Sequence, residues 1–213
     1  MASLLVIGAS RGIGLETVKA AISSGHRVRA FARSAQNIPL SDQNLEKFAG
    51  DALSADDVTR ALDGIDIVIQ VLGADIGPGT ILSGTTLFSD ATRILVDAMR
   101  ASGVKRVICV TGFGAGDSRD ALGPLYRLAF TFTLRRIYDD KDVQEQIIKA
   151  SDLDWTIVRP GLLRDGRATG LYRALTDRKD WQLTAIRRAD VARFLIDEVD
   201  QNAFSHKTPV LIS

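Results

Sequence analysis

The sequence predicts one α/β domain, a doubly wound parallel sheet with helices on both faces. Three observations predict it. Short apolar runs alternate with helical patterns along nearly all of the 213 residues. Several of these runs are too uniformly apolar to be half-exposed, as expected of strands covered on both sides. The connections are short, and no stretch rich in proline, serine or charge marks a linker, so residues 1–213 read as a single domain.

The strand candidates, in order, are SLLVIG, HRVRAFA, LEKFAG, DIVIQVLG, KRVICVTG, DWTIVRPG and TPVLIS. Between them lie amphipathic stretches whose apolar residues recur at helical spacing. Val18, Ala21 and Ile22 share one face after Gly14. Leu87, Ala91, Ile94, Leu95, Ala98 and Met99 share another, and Ala192, Leu195, Ile196 and Val199 a third. Two regions break the alternation: GADIGPGTILSG, Gly73 to Gly84, and a longer stretch from Gly112 to about Leu134. Both follow the carboxyl ends of strands, where open α/β sheets bind ligands. Loops around 73–84, 112–135 and 162–188 are therefore expected to build a small substrate-side region. The apolar stretch LYRLAFTF reads first as a core helix and second as a flap facing a substrate.

Composition removes several function classes. A formal net charge of +1 leaves no electrostatic footprint for nucleic acid or an anionic membrane. No apolar run approaches the roughly 20 residues that cross a bilayer, and the start, MASLLVIGAS, lacks the basic segment of a cleaved leader. A cytoplasmic protein, monomeric or a small homo-oligomer, is expected. Cys109 sits inside RVICV and reads as a small core residue. His26 and His206 lie far apart without ligand-like neighbours, so no metal site is expected.

Residues 8–14 read GASRGIG, directly after the first strand. In Gly-x-x-x-Gly-x-Gly, Gly8 allows a tight turn, Gly12 lets the backbone approach a diphosphate, and Gly14 lets the following helix pack on the sheet. That helix would start near Gly12 or Ile13, the exposed amides of its first turn and its dipole holding the phosphates, with the loop residues Ser10 and Arg11 among the cofactor-binding candidates. With a strand before it, a helix after it and a second strand closing the unit, the pattern predicts dinucleotide binding in a Rossmann-type fold. Sites for NAD usually carry an acidic residue at the end of the second strand, for the ribose 2′-hydroxyl. This chain reads VRAFARS there, with Arg33 and Ser34 in place of the acid and Arg11 nearby. Guanidinium groups grip a phosphate in a bidentate way, so NADP(H) is expected in preference to NAD(H).

These residues resemble the short-chain dehydrogenase/reductase superfamily, in particular its small atypical members: NmrA-like and NAD(P)H-binding proteins and the biliverdin reductase B (flavin reductase) group. The resemblance covers nearly the whole chain. It rests on GASRGIG, Gly50-Asp51, VLGA, KRVICVTG, KDVQEQIIKASDLDWTIVRPG and IRRADVARFL. It implies that Asp51 and Ala52 flank the adenine and that Leu72 and Gly73 line a ribose. Thr111 and Lys141 would hold the nicotinamide ribose, and Pro160, Gly161 and Leu162 would contact the nicotinamide end.

The departures from the superfamily pattern bear on chemistry. The usual enzymes use a serine, a tyrosine and a lysine, the tyrosine four residues before the lysine. Four residues before Lys141 stands Ile137, and Tyr138 is displaced by one. At roughly 100° per residue it still lies within about 60° of Lys141 around a helix. The position matching the serine is Gly112, beside Thr111. Lys141, Thr111 and Tyr138 are thus the catalytic candidates of an incomplete triad. Without the resemblance, Lys141 reads as a surface lysine paired with Glu145. Asp190, before VARFL, reads as a helix-start residue.

A ketone needs a proton donor as its oxygen gathers charge. A flavin, quinone or linear tetrapyrrole spreads the incoming charge over a conjugated system and needs only a weak donor. The expected activity is therefore an NADPH-dependent reduction of a small conjugated or aromatic molecule, with the loop Gly73–Gly84 and the segment Leu122–Phe132 forming the acceptor pocket. Two other readings stay open: a non-catalytic NADP(H)-binding redox sensor of the NmrA-like type, and, less favoured, an NAD-dependent epimerase or dehydratase.

Overall fold

The structure, a computed structural model, describes residues 1–74, 77, 79, 83–123, 130 and 133–213. Its ten strands are β1 (Ser3–Ile7), β2 (Arg27–Ala32), β3 (Leu45–Ala49), β4 (Ile67–Gln70), β5 (Arg106–Val110), β6 (Asp154–Pro160), β7 (Leu162–Arg164), β8 (Arg173–Leu175), β9 (Ala185–Arg187) and β10 (Val210–Ile212). The helices among the described residues are α1 (Gly12–Ser23), α2 (Ala55–Ala61), α3 (Leu87–Ser102), α4 (Arg135–Lys149) and α5 (Arg188–Gln201). Eight strands form one sheet in the order β3-β2-β1-β4-β5-β6-β10-β8, parallel except for β8, which pairs antiparallel with β10. Strand order reverses between β1 and β4, the switch point at which sheets of this kind bind ligands.

Every uniformly apolar run of the sequence is a strand of this sheet, and the reason lies in its two covered faces. Leu4 and Val6 point to the layer holding α1 and α5, Leu5 and Ile7 to the layer holding α2, α3 and α4. The same alternation continues through Ile108 and Val110 against Val107 and Cys109. Side chains this deeply buried each contribute about 1.5–3 kcal/mol through removal from water. Cys109 is a buried core residue, and burial pushes its thiol up to about 12. Helix α3 presents Ala91, Leu95, Ala98 and Met99 to the second layer, as its spacing predicts, and ends at Gly103 in the left-handed conformation, φ 78°.

Three short strands have no counterpart in the expected pattern. β7 and β9 pair in parallel as a separate two-stranded ribbon, and β8 closes one edge of the main sheet. All three come from the stretch around 162–188 that the sequence leaves as loop. The 116–121 turn is a 3-10 helix. Among the described residues no helix is long and apolar enough to cross a membrane.

Candidate active site

The carboxyl ends of β1, β4, β5 and β6 open onto a cleft of about 910 Å³, within the roughly 300–1,000 Å³ of small-molecule sites. Its floor is set by two backbone approaches that only glycine permits. A Cβ on Gly8, whose φ is 90°, would lie 2.6 Å from the carbonyl oxygen of Val71, just past β4. A Cβ on Gly14 would overlap the carbonyl oxygen of Gly8, so that residue sits under the loop and not in the cleft. Gly12 faces the open side. Helix α1 begins there with no side-chain cap and no acidic residue in its first turn. Its first amides and the positive end of its dipole therefore point into the cleft without a protein anion to neutralise them.

At one end of the cleft stand Arg33 and Ser34, both exposed, immediately after β2. Arg33 has no ion-pair partner among the described residues. Arg11 and Ser10 line the same side. Asp51 and Ala52 form the facing wall. One Asp51 carboxylate oxygen accepts the amide of Leu53 at 3.0 Å, and the Asp51 amide donates to Asp57. The carboxylate thus shapes the turn into α2. Leu72 and Gly73 continue the wall from β4.

At the other end α4 brings Tyr138 and Lys141 to the loop after β5. Lys141 is buried, which overturns the reading of it as a surface partner of Glu145. Its Nζ donates to the carbonyl oxygen of Thr111 at 2.8 Å and lies 4.1 Å from the centre of the Phe88 ring. Burial lowers Lys141 to about 8, against the attraction of nearby acidic groups. The Thr111 hydroxyl donates to Glu145 Oε1 at 2.9 Å, so it is engaged inside the protein while its carbonyl holds the lysine.

Tyr138 lines the cleft, with its oxygen 2.7 Å from the point a Cβ on Gly112 would occupy. The displaced tyrosine therefore reaches the position next to the missing serine. Its ring stacks edge-on against Phe130 at 4.7 Å, and burial raises its hydroxyl to about 12. The phenol stays protonated throughout the neutral range. Lys141 Nζ stands 6.0 Å from the Tyr138 ring centre, on the same side of α4.

Two buried arrangements hold this end in place. Arg159 on β6 is fully buried and reaches Glu145 on α4 through Nε at 2.9 Å and Nη2 at 2.6 Å, and Asp117 through Nη1 at 2.6 Å. Burial alone would raise Glu145, but the hydrogen bonds and charge of Arg159 outweigh it and hold the carboxyl below its usual range. Asp140, one residue before Lys141, accepts the amides of Phe88 at 2.9 Å and Ser89 at 3.3 Å. The start of α3, which has no cap of its own, is thus capped by α4.

Of the residues singled out in the sequence, Gly8, Ser10, Arg11, Gly12, Ile13, Arg33, Asp51, Ala52, Leu72, Gly73, Thr111, Tyr138, Lys141, Pro160 and Gly161 all line this one cleft. Leu162 does not. Alternation along β7 turns Leu163 to the cleft in its place. Asp190 lies in the first turn of α5, yet its carboxylate leaves its own helix and accepts Thr169 and Gly170 amides at 2.7 and 2.8 Å. Of the expected acceptor pocket, residues 75, 76, 78, 80–82, 124–129, 131 and 132 lie outside the described residues; Leu122 and Phe130 pack in a core cluster with Phe113 and Trp181. The sequence reading missed Phe88, Asp165 and Arg188. Arg188 stood inside the quoted IRRADVARFL, but spacing alone assigns it no task.

The NAD(P)H-binding family matches residues 8–202. The chain is 28% identical over 206 residues to a Bacillus subtilis protein described as an uncharacterized sugar epimerase, YhfK, with 93% of this chain and 88% of that one covered. Among solved structures it is similar to the Escherichia coli O157:H7 protein ChuY, an anaerobilin reductase, with 28% identity and a TM-score of 0.80 over 99% of this chain and 96% of that one. A short-chain dehydrogenase/reductase from Veillonella parvula, solved in complex with NADP, shares the fold at 14% identity and a TM-score of 0.80, over 100% of this chain and 94% of that one. With a glycine loop, an uncapped helix start and a switch-point cleft of the required form, the chain belongs to the NAD(P)H-binding family.

Proposed function

We propose that the protein is an NADPH-dependent reductase whose acceptor is a small conjugated molecule such as a flavin, a quinone or a linear tetrapyrrole. The observation that carries the reading is the pairing of Tyr138 with Gly112. A phenol raised to about 12 is a weak general acid for a ketone, whose oxygen must be protonated as its charge develops, whereas an acceptor that delocalises the added charge can take its proton later, from a weak donor or from water. Similarity to an anaerobilin reductase supports the tetrapyrrole member of that class.

The bound nicotinamide nucleotide would supply the hydride. The residues of this chain do the rest. The first turn of α1 and the loop from Gly8 hold the diphosphate, and Asp51, Ala52 and Leu72 bound the adenosine half. Arg33 faces the ribose without a competing carboxylate, which favours a 2′-phosphate. Lys141 holds the second ribose beside Thr111, and Pro160 and Gly161 form the wall behind the reactive ring. Tyr138 offers its proton into the same space.

The test follows loss of NADPH absorbance with a panel of flavins, quinones and biliverdin. Turnover with at least one of them is expected. Tight nucleotide binding with no turnover would instead favour the redox-sensor reading. For the cofactor, Arg33→Asp is expected to weaken NADPH binding by at least about tenfold and to spare NADH. Equal affinity of the parent protein for both nucleotides would end the NADPH preference.

A further inference from the structure

Arg188 is the first residue of α5 and stands at the mouth of the cleft, its side chain 29% exposed. Two contacts define where it lies. Its Nη1 donates to Oδ1 of Asp165 at 2.7 Å, and Asp165 is itself 90% exposed. The same side chain also passes over the glycine loop: a Cβ on Gly12 would meet Arg188 Nε at 3.8 Å and Cδ at 3.9 Å. The guanidinium therefore hangs above the uncapped start of α1, tethered sideways to a carboxylate that water already solvates. An ion pair so exposed is weakly held. A diphosphate seated on the first turn of α1 would offer more negative charge, oxygens spaced for a bidentate contact and a drier setting.

We propose that Arg188 is an exchangeable phosphate ligand: Asp165 holds it to one side, and it leaves that carboxylate for the diphosphate when a nucleotide binds. The inference rests on the nucleotide reading given above and extends it to a residue of the last helix. Asp165 is then a competitor of the ligand, not a support for it. That sets the two members of one ion pair in opposition, which a merely structural link between β7 and α5 would not do.

The experiment measures binding of NADPH and of ADP to the full chain by calorimetry, with AMP as the ligand that lacks a diphosphate. Arg188→Met is expected to weaken NADPH and ADP by about tenfold and to leave AMP unchanged. Asp165→Asn is expected to tighten both by about threefold, and to do nothing in the Arg188→Met background. If Arg188→Met fails to fold, the sign of the Asp165→Asn effect decides alone. Loss of affinity in both single variants, or no change in either, overturns the proposal. A parent protein that binds neither NADPH, NADH nor ADP overturns the nucleotide reading itself, and this inference with it.

Discussion

The Tyr138 oxygen stands where a side chain on Gly112 would have to begin: a β-carbon at residue 112 would lie 2.7 Å from the phenol oxygen. The backbone adds a second barrier, since Gly112 has φ 148°. The missing serine and the displaced tyrosine are thus a single adaptation. Moving the tyrosine one residue along α4 fills the space the serine would need.

Restoring the serine is therefore not expected to restore the usual triad. Gly112→Ser should lower thermal stability and displace Tyr138 without conferring alcohol oxidation, because a residue with a Cβ is strained at that φ and crowds the phenol. Melting temperature and oxidation of a secondary alcohol panel check this. A stable Gly112→Ser variant that oxidises alcohols would refute the shared-volume argument.

Tyr138→Phe isolates the proton. Reduction is expected to slow by roughly tenfold or more while the nucleotide dissociation constant stays the same, since among the described residues the hydroxyl makes no hydrogen bond to the glycine loop and the ring contact with Phe130 persists. Stopped-flow reduction and a binding titration separate the two quantities. An unchanged rate removes Tyr138 from the chemistry.

The Arg159–Glu145 pair predicts a stability effect. Removing one partner leaves a buried charge with only a partly exposed ion beside it, Asp117 for Arg159 or Lys149 for Glu145, so Arg159→Met or Glu145→Gln should cost about 3 kcal/mol in denaturant unfolding, the low end for a broken buried pair. Because Glu145 is held below its usual value in the folded chain, its contribution is present above the unfolded value near 4.5 and is lost as pH falls below it. The Glu145→Gln variant should lack that component of acid sensitivity.

Lys141 predicts a pH dependence of opposite origin. Its folded value of about 8 lies below the ordinary 10.5, so the unfolded chain binds the extra proton between them. Stability from this group therefore rises as pH climbs from 8 towards 10.5. Nucleotide binding should move the other way: the ammonium that faces the ribose is lost above about 8, and affinity should fall there. Lys141→Met is expected to flatten both profiles. A parent protein whose affinity is level across that range would sink the assignment.

What the sequence disclosed and what it hid divide along physical lines. The runs of β1, β4, β5 and β6 are legible as strands because burial on both faces leaves few polar positions to blur the pattern, whereas β3, with no buried residue, was read from its place in the alternation. The glycine loop was legible because Gly8 and Gly14 answer to backbone contacts within the same unit and with the neighbouring β4 connection. β7, β8 and β9 were not, since runs of three residues, of which only Ile186 is buried, carry no periodicity and exist only through their partners. Nor was the reach of Tyr138. A 60° offset around α4 says which side the tyrosine favours, whereas the distance to Gly112 depends on how α4 lies against the β5 loop. The Asp140 cap, the Arg159 pair and the Arg188–Asp165 contact all join residues more than a dozen apart in the chain. Spacing rules do not see such partners.

The carboxylate that Asp140 lends to the start of α3 has a mechanical consequence. Because a side chain inside α4 caps the start of α3, the two helices cannot hinge apart without exposing bare amides, so Phe88, Tyr138 and Lys141 travel as one stiff jaw. Accommodation of a guest must then come from the facing jaw, the slender ribbon of β7 and β9 with its arginine-bearing helix start. The fold in this way keeps Tyr138 and Lys141 fixed and leaves the side of the cleft that carries Arg188 to adjust.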